Sequence, residues 1–292
     1  MSEYALKIRK EFAEGDAKRD AGLTTPESIQ RMDNIQYGDD PVWNLLDVYR
    51  PKQITGKLPV IVIVHGGGWV YGTKEVYQFY GMSLAERGFA VVNYTYRLAP
   101  EHKYPASLED TNSVMAWIHE HANQYGLDTE NIFAVGDSAG GNLLGMYCAL
   151  CTDEQYAAHF QFAAKAEYLP KGIGMNCGAY RIFDEEGNAA TLENRDLMED
   201  LLNSAEEKPL VQVSSLINGK FPPAFIMSAY GDFLLEQAPI LEQSYRTQGL
   251  PHVLRVYGSE SKPLYHVFHC TMQEPMAKIC NDEECAFFKS LM

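Results

Sequence analysis

Gly136-Asp137-Ser138-Ala139-Gly140-Gly141 follows an apolar run, Ile132-Phe133-Ala134-Val135, and precedes a helix-like run, Asn142-Leu143-Leu144-Gly145-Met146. Glycines on both sides of a serine, between a strand-like and a helix-like segment, describe a turn too tight to admit neighbouring side chains. Such a turn lifts the serine hydroxyl to the end of a sheet, where a small molecule can reach it. A bare Gly-x-Ser-x-Gly is a weak signal, so its weight depends on what surrounds it.

Outward from this stretch the chain alternates strands and helices. Leu45–Tyr49, Val60–Val64, Phe89–Tyr94, Ile132–Val135, Ile173–Cys177, Ala224–Tyr230 and Val253–Tyr257 read as strands. Val60–Val64 is β-branched throughout, as a strand covered on both faces is. Helices are expected near Val76–Arg87, Ser107–Tyr125, Ala139–Cys151, Gln237–Gln248 and Met272–Leu291. The alternation predicts an α/β fold: a mostly parallel central sheet with helices on both faces. Residues 1–41 are polar, with weak helical periodicity at Tyr4–Phe12 and Ser28–Met32, and read as an N-terminal arm or partial cap before a catalytic domain over 42–292. Residues 179–221 hold no clear strand and are rich in acidic residues. That is longer than a connection needs, and it reads as a helical, lid-like insertion.

With 292 residues and 46% hydrophobic content, the chain has enough apolar surface for one large domain with a full core. A net charge of −15 repels phosphate backbones and argues against a nucleic-acid partner. No run of about 18 apolar residues is present, so no membrane span is expected. The charged start, Met1-Ser2-Glu3-Tyr4-Ala5-Leu6-Lys7, lacks a signal-like apolar region, which points to the cytoplasm. In that setting the six cysteines are expected as reduced thiols. Cys148 and Cys151 are expected to pack in the core of their helix rather than act as a redox pair, and no Cys or His pair stands near them at zinc spacing.

Acyl transfer by serine needs a nucleophile, a base, an orienting acid and donors for the oxyanion. Ser138 is the candidate nucleophile. His266, in Tyr265-His266-Val267-Phe268 after the last strand, is the candidate base, with His269 a rival expected near the start of the last helix. Asp232 follows the strand Ala224–Tyr230 directly and is the candidate orienting acid, with Glu236 a weaker rival. The order Ser, Asp, His is the one this turn type carries. His65-Gly66-Gly67-Gly68 stands just after Val60–Val64, and its glycines let backbone N–H groups approach a substrate oxygen. Gly67 and Gly68, joined by Ala139, are the candidate donors; losing one such donor costs on the order of 3 kcal/mol. A phosphate loop needs a Lys-Ser/Thr at fixed spacing, which is lacking here. Trp69 and Tyr71 are candidates for lining a substrate pocket. A histidine base predicts activity that rises through roughly pH 6.5.

With these residues in hand, the chain resembles the α/β-hydrolase fold and, within it, the hormone-sensitive lipase-like esterases. Three motifs carry the resemblance: His65–Gly68, Gly136–Gly141 and Tyr96-Arg97-Leu98-Ala99-Pro100-Glu101-His102. It spans residue 42 to the C-terminus and implies hydrolysis of short-chain carboxylic esters, acetyl esters foremost, without metal or cofactor, on a small-molecule ester. The third motif looks structural, packing the sheet edge under the site. Trp69 after the glycines is also similar to acetyl-xylan and feruloyl esterase relatives. Where these families usually place glycine after the histidine, this chain has Val267. Arylformamidase-type amide hydrolysis, or ligand binding without catalysis, are the alternatives. The sequence assigns no oligomeric state.

Overall fold

The β-branched run that ends at Val64 lies at the centre of an eight-stranded sheet, and its side chains serve two cores at once. Val60, Val62 and Val64 point into one apolar cluster, Ile61 and Ile63 into another on the opposite face. This is why the strand has no polar positions. The computed structural model describes residues 1–189 and 192–292. Its strands are β1 (Ile29–Gln36), β2 (Leu45–Pro51), β3 (Leu58–Val64), β4 (Ala90–Tyr94), β5 (Leu127–Asp137), β6 (Gly172–Asn176), β7 (Ala224–Ala229) and β8 (His252–Tyr257). They lie in the order β1-β2-β4-β3-β5-β6-β7-β8. β2 runs antiparallel to both its neighbours, and every pair from β4 to β8 is parallel. The parallel strands therefore end on one side, where the loops that follow them gather.

The helices are α1 (Glu3–Arg19), α2 (Gln78–Glu86), α3 (Ala106–Tyr125), α4 (Ala139–Thr152), α5 (Glu154–Ala157), α6 (Leu192–Leu201), α7 (Val213–Leu216), α8 (Gln237–Thr247) and α9 (Pro275–Lys289). α3, α4 and α8 bury Leu108, Leu143 and Leu241 on one face of the sheet; α2 and α9 bury Met82 and Phe288 on the other. Among the described residues no helix is long and apolar enough to cross a membrane, and the six cysteines are free thiols. Cys148 and Cys151 pack in the core beside α4's leucines.

One sequence expectation differs from the structure. Ser28–Met32 reads as helical, but Ile29–Gln36 is the edge strand β1, paired with β2. Its side chains are largely polar and face solvent, so the alternation that marks a strand is absent. The Tyr96–His102 motif follows β4, which lies between β2 and β3. Of the 179–221 segment, residues 190 and 191 lie outside the described residues. The rest holds α6, a 3-10 turn over Ala205–Val211 and α7.

One acid on α9 is almost wholly buried. Glu284 on α9 accepts hydrogen bonds from Asn176 Nδ2 (2.8 Å) and Tyr80 Oη (3.0 Å). Burial pushes its carboxyl from the ordinary 4.5 up to about 7, outweighing both bonds. Between these values the unfolded chain gives up the proton more readily than the fold does, so stability falls as pH rises through this window. Glutamine keeps an acceptor for Asn176 and offers Tyr80 a donor. Glu284→Gln is therefore expected to stabilise the fold by about 2 kcal/mol at pH 8 and not at pH 4. Thermal melts at the two pH values check this.

Candidate active site

Ser138 joins β5 to α4 with φ 53° and ψ −121°, a backbone conformation that costs of order 1–3 kcal/mol in a residue with a side chain. The surroundings hold it there. Ser138 N–H donates to Asn176 O at 3.0 Å. A Cβ on Gly140 would stand 2.0 Å from Val64 O, and one on Gly136 2.5 Å from Gly140 O. The glycines thus serve the close approach of α4 to the end of β3.

Asp232 and His266 arrive from the loops after β7 and β8. His266 Nδ1 lies 2.7 Å from Asp232 Oδ1. The carboxylate accepts the Nδ1 proton, which leaves Nε2 as the free lone pair. Leu234 N–H donates to the same oxygen at 2.8 Å, and Ser228 Oγ to Oδ2 at 3.2 Å. The Cys177 thiol stands beside them, within 4.8 Å of the carboxylate and the imidazole. Burial alone would raise the Asp232 pKa; the His266 bond and charge, Cys177 and the Leu234 amide outweigh it and hold the group below its ordinary 3.8. The structure thus brings Asp232 and His266 together. No hydrogen bond joins Ser138 Oγ to His266 among the described residues; such bonds commonly tighten only around a bound substrate.

The rivals are placed elsewhere. His269 lies in a 3-10 turn before α9, fully buried against the edge of Tyr80, and burial lowers its pKa to about 3. Glu236 is the residue before α8. Val267 is left-handed at φ 52°, ψ 31°. It is a conformation that favours glycine, adopted here by a β-branched residue.

His65–Gly68 follows β3 into this same edge. Gly67 has φ 116°, and a Cβ there would stand 2.1 Å from Tyr71 O, so only glycine fits. Gly68 has φ 61°. Among the described residues the N–H groups of Gly67, Gly68 and Ala139 have no acceptor. His65 is fully buried, which lowers its pKa to about 4, and its ring stacks on Tyr96 at 3.9 Å. Tyr96 Oη also donates to His65 O at 2.8 Å. The Tyr96 motif is therefore a prop for the glycine loop.

Trp69 is buried in the core with φ 62°. Tyr71 donates its hydroxyl to Asp16 Oδ2 at 2.8 Å and meets Phe12 edge-on at 5.9 Å. Both partners of Tyr71 belong to α1. Arg9 of α1 donates to Val70 O (2.7 Å) and Ala99 O (3.0 Å), and Arg19 to Val76 O (2.5 Å). Ser2 N–H reaches Asp200 on α6 at 2.8 Å. Ile8 and Leu197, from α1 and α6, stand over Gly68: a Cβ there would lie 3.5 and 3.6 Å from their methyl carbons. Sequence reasoning missed this pair, because a weakly periodic polar helix gives no sign of where its few apolar residues dock.

A cavity of about 880 Å³ lies between Phe183, Met198, Leu202 and Lys208. Its walls include none of Ser138, Asp232 or His266.

The BD-FAE family model matches residues 46–243, more than half of the chain. The carboxylesterase NlhH of Mycobacterium tuberculosis is 37% identical over 134 residues, 44% of this chain and 42% of that protein. The esterase LipC of the same organism is 36% identical over 126 residues, 42% of this chain and 31% of LipC. The chain thus spans less than half the length of these relatives. An acetyl esterase of Salmonella schwarzengrund is 25% identical over 80% of this chain and 72% of its own length. Among solved structures, inhibited esterase B from Lactobacillus rhamnosis superposes with a TM-score of 0.89 at 22% identity, covering 99% of this chain and 97% of that one. This likeness carries the fold. The chain belongs to the BD-FAE family and has the α/β-hydrolase fold.

Proposed function

We propose that the protein is a serine hydrolase that cleaves short-chain carboxylic esters through an acyl-enzyme. The observation that carries the reading is the 2.7 Å bond from His266 Nδ1 to Asp232 at the sheet edge where Ser138 is held in its strained turn. Relatives named carboxylesterase, esterase and acetyl esterase point the same way.

In the proposed reaction Ser138 Oγ attacks the ester carbonyl carbon while its proton passes to His266 Nε2. Asp232 fixes the tautomer and stabilises the imidazolium. The N–H groups of Gly67, Gly68 and Ala139 receive the oxyanion. The C–O bond to the alcohol breaks, and His266 returns the proton to the leaving oxygen. Water then attacks the acyl-enzyme with His266 again as base, releasing the carboxylic acid and restoring Ser138. Every step is met by protein groups, and the substrate is a small-molecule ester.

Turnover of p-nitrophenyl acetate, butyrate and octanoate, beside an aryl formamide, tests the reading. The expected result is turnover of esters that falls with acyl length. Preferred turnover of the formamide would contradict it in favour of amide hydrolysis. No turnover of any of them by folded protein would favour ligand binding.

Ile8 and Leu197 over Gly68 place the limit on acyl length in this reading. Leu197→Ala removes three carbons from that roof. The ratio of kcat/KM for octanoate over acetate is expected to rise about 10-fold, since each methylene in an apolar pocket is worth about 1 kcal/mol or more. The same ester series on the variant checks it.

A further inference from the structure

The oxyanion loop and the nucleophile turn are joined by a side-chain bridge that the proposed reaction does not use. Tyr77 Oη accepts from Gly66 N–H at 2.9 Å and donates to Asp137 Oδ2 at 2.7 Å. Gly66 immediately precedes the candidate donor Gly67, and Asp137 immediately precedes Ser138. A Cβ on Gly66 would stand 2.6 Å from Asp137 Oδ2, so the two loops also touch directly. Tyr77 and Asp137 are both buried. Tyr77 is itself seated from outside: Arg19 of α1 holds the neighbouring Val76 O, and Tyr77 O accepts from Gly81 N–H at 2.9 Å in α2.

We propose that Tyr77 and Asp137 form a positioning relay that fixes the distance between Ser138 and the oxyanion donors. The inference rests on the serine-hydrolase reading above. Because Gly66 donates to the hydroxyl, the Tyr77 proton is directed at Asp137, and one hydrogen-bond chain runs from one loop to the other. Without the hydroxyl, Gly66 N–H and the Asp137 carboxylate both lose their partner, and the donors are free to drift. A shift on the order of 1 Å at such a site costs about 100-fold in rate. Neither residue touches the reacting atoms.

Asp137 also supplies a charge. Burial pushes its carboxyl from the ordinary 3.8 up to about 6, against the Tyr77 bond and the charges of His266 and Arg19. Tyr77, Tyr96, Tyr180, Cys177, Cys270 and Glu284 interact with it electrostatically, and among the described residues Arg19 and His266 bring the positive charge that acts on it. Above pH 6 the carboxylate therefore favours the imidazolium that forms during attack.

The test compares wild type, Tyr77→Phe and Asp137→Asn from pH 5 to 9. It measures kcat and KM for p-nitrophenyl acetate, the rate of fluorophosphonate labelling, and thermal melts. Tyr77→Phe is expected to lower kcat and the labelling rate together by about 10- to 100-fold, with KM within about 3-fold. Asp137→Asn keeps an acceptor for Tyr77 and loses the charge. It is expected to cost about 3- to 10-fold at pH 8, with the ratio to wild type shrinking toward 1 by pH 5, where wild type has lost that charge as well. Folded Tyr77→Phe within 2-fold of wild type would overturn the relay, and an Asp137→Asn ratio that does not move with pH would overturn the charge role of Asp137. Asp137→Ala, which leaves the Tyr77 hydroxyl without its acceptor, decides the relay if Tyr77→Phe does not fold: kcat and labelling within 2-fold of wild type would overturn it. Wild type that neither labels nor turns over would overturn the serine-hydrolase reading, and the relay with it.

Discussion

Ser138→Ala is expected to lower kcat on short-chain esters by about 10⁵- to 10⁶-fold while the fold melts within a few degrees of wild type. The size follows from the role: without Oγ no acyl-enzyme forms, and what remains is the binding and oxyanion contribution. The stability expectation follows from the structure. Ser138 keeps φ 53° because Asn176 O, Gly136 and Gly140 impose it, and no hydrogen bond from Oγ to another described residue is lost. Alanine inherits the same strain and the same packing. Steady-state kinetics on p-nitrophenyl acetate and a thermal melt measure the two halves. Activity that survives within 100-fold of wild type would take Ser138 out of the reaction.

Asp232→Asn is expected to lower kcat by about 10³- to 10⁴-fold, with KM little changed. The carboxylate has two oxygens engaged: Oδ1 by His266 Nδ1 and Leu234 N–H, Oδ2 by Ser228. An amide has one oxygen to offer. With its NH₂ toward the imidazole it accepts no proton from Nδ1, so the ring turns to the tautomer whose Nε2 carries hydrogen and cannot take the serine proton. The imidazolium also loses its counter-charge. In the wild type Asp232 is held below its ordinary 3.8, so its share of stability is fully present above that value and is lost as pH falls through the lower, folded pKa. Asp232→Asn therefore flattens the acid side of the stability profile as well as lowering kcat. Melts between pH 3 and 7, with kcat at pH 8, check both.

The parts of the fold legible in sequence are those whose residues carry their own geometry. Gly136 and Gly140 announce the tight turn because each stands where a Cβ would strike backbone. Val60–Val64 announces a central strand because both its faces are buried. Asp232 and His266 were legible from their places after β7 and β8, and the structure joins them at 2.7 Å. What was not legible depends on partners distant in the chain. β1 is a strand because β2 pairs with it, not because of its own side chains. Tyr96 reads as structural under the site, but its partner shows only when its ring is found on His65. Asp137 carries no role in the sequence until Tyr77, 60 residues away, is found donating to it. α1 reads as a polar arm until Ile8 is found over Gly68.

The most direct measurement is to label the folded wild type with a fluorophosphonate, count adducts by intact mass, and map the labelled peptide. One adduct per chain, on Ser138, formed within minutes and absent in Ser138→Ala, is the expected result. Ester turnover with no adduct, or an adduct on another residue, would contradict an activated Ser138 at the centre of this site.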